Sequence, residues 1–154
     1  MTNQTISRKN NGITCSCTPT QRVIVGAMGG VVAGIVFGMM MSMLDMIGTI
    51  AMLVGSTSNA VGWAVHIAIS MMIGVAFSLL LEKKLRNISA GLGYGMAYGI
   101  FWWVLGGLIL MPAKLNMPLF DFNTMAWQSL MGHVVFGLIL GALTVALPSR
   151  MHKS

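Results

Sequence analysis

The two residues best suited to chemistry in this chain are His66 and His133. Imidazole nitrogen suits iron and copper, and a methionine thioether suits Cu(I), so as ligands the pair would hold a haem axially or make half of a copper site with a nearby Met sulfur. As neutral rings they would instead donate hydrogen bonds to carbonyls on neighbouring helices and lock the fold at symmetric points. As titrating groups they would line a proton or small-solute path, a use that normally also needs a carboxylate at mid-membrane depth. None is present there, since Asp45, Glu82 and Asp121 all fall at the ends of apolar runs, as does Lys114. Two histidines without a ligand spacing form a weak metal signature, so the expectation is no cofactor, with haem or copper at His66 and His133 as the alternative.

Other reactive side chains are few. Cys15 and Cys17 form a C-x-C pair in a polar tail. Such a pair can contribute to a soft-metal site or accept a palmitoyl chain, but two thiols alone do not close a zinc site, and free thiols are expected. Trp63 and Trp127 lie near the ends of apolar runs, where indoles anchor among lipid headgroups, while Trp102 and Trp103 lie deeper and are expected beside the histidines, as filler or as a cofactor wall. No nucleophile elbow, phosphate loop, zincin helix or carboxylate pair occurs, which points away from an enzyme.

The elements that must position these residues are set by composition. With 56% apolar and 8% charged residues, and a strongly positive mean hydropathy, the chain lacks the groups to wet a soluble surface. Apolar runs cover residues at about 23–44, 60–81, 88–111 and 125–147, and a run of about 22 residues spans about 33 Å as a helix, matching a hydrocarbon core of about 30 Å. Residues 46–55 are apolar but too short to cross, and are expected to form an interfacial or re-entrant helix or an extension of the first span. Residues 1–21 read as a disordered cytoplasmic tail, residues 22–148 as the transmembrane domain and residues 149–154 as a second cytoplasmic tail. The first run is too long for the apolar region of a signal peptide and lacks a small-x-small cleavage site, so it is expected to remain as an anchor.

The net charge of +6 follows the same plan. Arg8, Lys9 and Arg22 precede the first run, Lys83, Lys84 and Arg86 separate the second from the third, and Arg150 and Lys153 follow the fourth. The positive-inside rule then places both termini in the cytoplasm, in a plasma membrane, and leaves no basic patch for nucleic acid.

Small residues recur at i, i+4. Gly26, Gly30 and Gly34 in the first run correspond at a constant offset to Gly91, Gly95 and Gly99 in the third. Gly62, His66, Ser70, Gly74 and Ser78 in the second correspond at another to Ser129, His133, Gly137, Gly141 and Val145 in the fourth. Each series lies on one helix face, and in lipid such faces hold helices together by close van der Waals contact. The expected fold is therefore an all-α integral membrane protein of four transmembrane helices, built as two parallel-repeat hairpins in a pseudo-two-fold bundle.

Pro118, Phe120 and Asp121, then Ser129, Gly132-His133 and Val135, with His66-Ile67 and Ser70 in the earlier helix, resemble the motifs of the YagU-like family of small bacterial inner-membrane proteins. The resemblance covers residues 62–136. It implies a four-helix membrane fold with a histidine in helices two and four, and because that family has no assigned activity it transfers no catalytic residue. These readings together predict a non-enzymatic membrane protein, an accessory subunit that packs against other membrane subunits or a second copy. A haem- or copper-binding protein is the alternative, and a small channel or transporter follows behind.

Overall fold

The computed structural model describes residues 18–151, so Cys15, Cys17, Arg8, Lys9 and Lys153 lie outside the described residues. The described chain is all-helical, and four of its helices are long and apolar enough to cross a membrane, as befits a multi-pass membrane protein. They are α1 (Pro19–Met43), α3 (Asn59–Leu81), α4 (Ile88–Trp102) with its continuation to Lys114, and α6 (Thr124–Met151). Large apolar side chains such as Met43, Leu80 and Met72, exposed by 84%, 76% and 68%, could not face water in such numbers, but lipid accepts them.

Local chemistry sets the ends. Thr18 accepts the Gln21 N–H and receives back the Gln21 side chain on its own N–H, with Pro19 at the first helical position, so α1 starts inside the stretch expected to be tail. Asp45 adopts the left-handed conformation at φ 54°, and the chain reverses there. The six residues of α2 (Ile47–Met52) consequently fold back, bury Ile47, Ile50 and Ala51, and press on α3 at Gly62 instead of extending α1. At the opposite end of the helices Asn87 caps α4 by accepting the Ala90 N–H at 2.8 Å.

Span three runs past residue 111 and through Pro112 to Lys114. Trp103–Leu110 is a π-helix containing Gly106 and Gly107, and it runs into α5 (Met111–Lys114). Pro112 has no N–H for the Leu108 carbonyl four residues back, and the Phe120 N–H fills that vacancy at 3.2 Å, drawing the following loop back over the helix end. Span four likewise runs past residue 147 and through Pro148. Proline's fixed φ is helical and its missing N–H removes a single bond near the terminus, so α6 continues to Met151.

Helices α1 and α6 form the centre, with α3 packed on α1 and α4 on α6. Glycine makes both hairpins tight. A Cβ on Gly26 would stand 2.6 Å from the Gly74 carbonyl oxygen and 2.8 Å from Ser78, and one on Gly91 would stand 2.6 Å from the Gly141 carbonyl oxygen and 2.9 Å from Val145. Gly30 meets the Ser70 carbonyl and Gly74, Gly95 meets the Gly137 carbonyl and Gly141, Gly34 meets the Ser70 side chain and Gly99 the His133 carbonyl. The centre is closed by Gly29 against Leu140, by the buried Ala33, and by Phe37 against Gly132. The expected two-fold bundle would press α3 onto α4 as α1 presses onto α6. Those helices instead stand apart along most of their length, because Tyr98 of α4 reaches between them, its hydroxyl donating to the Ile73 carbonyl at 3.1 Å and its ring against Phe77 at 5.0 Å.

Candidate functional site

His66 sits on α3 where Gly34 and Gly38 let α1 approach. Its Nε2–H donates to the Gly34 carbonyl at 3.0 Å, a bond that ties α3 to α1 and fixes the proton on that nitrogen, because a carbonyl only accepts. Gly38 is required here, since a Cβ would run into the Trp63 ring and stand 3.1 Å from His66 Cδ2. Trp63, expected among headgroups, accordingly packs edge-on to His66 with ring centroids 6.3 Å apart.

His133 behaves differently. Its Nδ1–H donates to the Ser129 carbonyl of its own helix at 2.8 Å, with the Ser129 hydroxyl at 3.4 Å, so it ties no helix to another through that bond. The ring lies beside the π segment: a Cβ on Gly107 would be 4.0 Å from His133 Cε1 and 3.6 Å from Ser129 Oγ. Trp103 is buried on the same segment, its indole N–H donating to the Ala126 carbonyl at 2.9 Å and its ring grouped with Phe122 and Trp127. Trp102 packs among Tyr98 and Phe101.

The two imidazoles share one neighbour that the sequence reading missed. Phe37 of α1 packs T-shaped on His66 at 5.3 Å and on His133 at 4.8 Å. The ring also fills the space that a side chain on residue 132 would take, which makes Gly132 a condition of the arrangement. A phenylalanine after a glycine stripe carries no sequence signal of this kind; the adjacent Gly132-His133 pair is the nearest hint.

Phe37 and the two histidines form one packed cluster where the hairpins meet. A haem iron held by both histidines needs a flat macrocycle between the rings, and Phe37 already lies against each of them. Each ring donates one N–H to a main-chain carbonyl, which fixes its tautomer and orientation. Among the described residues no three His, Cys, Asp or Glu side chains gather into a metal-binding group. Gly26, Gly30, Gly34, Gly74, Gly91, Gly95, Gly99 and Gly141 are all at helix contacts where added carbon would meet the neighbouring helix. No family model, no curated protein and no solved structure matches the chain.

Proposed function

We propose that this chain is a non-enzymatic accessory subunit of a larger plasma-membrane complex, with both termini in the cytoplasm. The observation that carries the reading is that both intramembrane imidazoles pack on Phe37 in the seam between the hairpins, with His66 also bonded to the Gly34 carbonyl, so the residues fit for chemistry take part in helix packing. The exposure of the third span supports it as well, because only 17% of its apolar window is buried within the chain against 44% of the first span's. The cytoplasmic termini are supported by Arg22 in the first turn of α1 and by Lys83, Lys84 and Arg86 between α3 and α4, all at one end of the helices.

The same reading takes the hairpins as parallel repeats, supported by the way Gly26 meets Gly74 and Ser78 while Gly91 meets Gly141 and Val145 at corresponding positions. Kinship to the YagU-like family is part of the proposal and rests on the motifs quoted above. Gentle purification of the tagged full chain from its host membrane, followed by native mass spectrometry, should recover it with other membrane polypeptides. A strictly solitary chain would overturn the subunit reading. A Soret band, or stoichiometric copper in the same preparation, would replace it with a cofactor protein using His66 and His133.

A further inference from the structure

The opening between α3 and α4 has a charged mouth. Lys83 and Lys84 in the 3-10 turn after α3, and Arg86 just beyond it, are exposed at its entrance, and the Lys84 ammonium lies over the Tyr94 ring at 5.5 Å. Glu82 is the sole acidic residue of the chain at this end, Asp45 and Asp121 lying at the other ends of the helices. The neighbouring Leu81 and Leu85 are partly buried on the apolar core, and the half-exposed Tyr94 lies under Lys84. Tyr98 closes the top, on Phe77 and the Ile73 carbonyl. From Ile88 to Tyr98 the helix rises about 15 Å, half of a hydrocarbon core of about 30 Å and therefore the depth of one leaflet.

We propose that this cleft is a binding site for an anionic phospholipid. The phosphate sits among Lys83, Lys84 and Arg86, and one acyl chain lies between α3 and α4 up to the Tyr98 bridge. Three chemical features match the occupant: positive charge at headgroup depth, a separation of α3 from α4 below Tyr98 about one leaflet deep, and an aromatic ring under the Lys84 ammonium. The unequal packing of the four helices also acquires a use, since the gap that Tyr98 maintains would be filled by lipid.

The test uses the full chain in a neutral detergent with phosphatidylglycerol or phosphatidylcholine of identical acyl chains, read by native mass spectrometry. Phosphatidylglycerol should be retained in preference to phosphatidylcholine. Each basic residue near a membrane surface contributes about a fivefold preference, so the K83Q/K84Q/R86Q variant should bind phosphatidylglycerol about a hundredfold more weakly. The R8Q/K9Q variant, with the same kind of charge removed from the tail, should bind as the parent chain does. Equal retention of the two lipids, or an unchanged affinity in the triple variant, would overturn the proposal. So would equal losses in both variants, which would mean diffuse surface attraction. Displacement of the lipid by glycerol phosphate alone would remove the acyl chain from the site and refute the cleft.

Discussion

Adding one methyl group to α4 on either of two faces separates packing from helix propensity. A Cβ on Gly95 would be driven into the Gly137 carbonyl, 3.0 Å from its carbon and 3.2 Å from Gly141 Cα, and all of these are backbone atoms that cannot swing aside. Comfortable carbon contacts need about 3.5–4.0 Å, so α4 and α6 must part by roughly 1 Å, which forfeits about a quarter to a half of each contact along the seam. With each atom pair worth about 0.1–0.2 kcal/mol and a few dozen pairs involved, Gly95→Ala loses about 2 kcal/mol of packing. Gly93 lies on the same helix with nothing within 4 Å of its Cβ position. Gly93→Ala should therefore gain up to about 1 kcal/mol of helix propensity and lose no contact. That propensity gain is common to both variants, so their difference isolates the packing loss. Thermal unfolding in detergent followed by circular dichroism should place Gly95→Ala roughly 4–8 °C below Gly93→Ala, taking about 2–4 °C per kcal/mol for a chain of this size. Equal melting temperatures would refute the claim that the glycine face is where these helices meet.

Two further substitutions test the histidine cluster. His66→Leu removes an interhelical hydrogen bond and should cost about 1 kcal/mol, whereas His133→Leu removes only a bond within α6 and should cost less, as read by unfolding in mixed micelles. The reverse order would show that His133 has a partner beyond its own helix. Gly132→Ala pushes a methyl group into the Phe37 ring and should destabilise by about 1–3 kcal/mol, and adding Phe37→Leu should recover part of that loss; strictly additive effects would mean that the two residues do not touch.

Hydropathy and length made the four spans legible, since lipid leaves few other ways to place about 22 apolar residues. The i, i+4 spacing of Gly26, Gly30, Gly34 and of Gly91, Gly95, Gly99 likewise marks one close-packing face on each helix. Less visible was anything decided by a single backbone group. Thr18-Pro19-Thr20-Gln21 is a readable capping box, yet its polar composition resembles tail. Asp45 turns the chain through a left-handed conformation that nothing in its neighbours announces, and so decides that α2 folds back. At Pro112 the usual inference from proline to helix end failed because another N–H, that of Phe120, was close enough to serve the orphaned Leu108 carbonyl.

The same limit explains the histidines. Periodicity identifies which face of a helix is small, but not which two faces meet, and here the meeting of the hairpins depends on residues off the stripe. On α1 the face toward α6 carries Gly29, Ala33 and Phe37, two small residues and one ring that Gly132 accommodates. On α4 the face toward α3 carries Tyr98, which cannot close to the same distance and bridges by its hydroxyl. The hairpins are thus joined tightly along one seam, α1 with α6, and Phe37 lies in that seam against both imidazoles. His66 can then reach across to the Gly34 carbonyl, whereas His133 turns to Ser129 on its own helix, so two residues in like positions of the sequence acquire unlike bonds from one asymmetric contact.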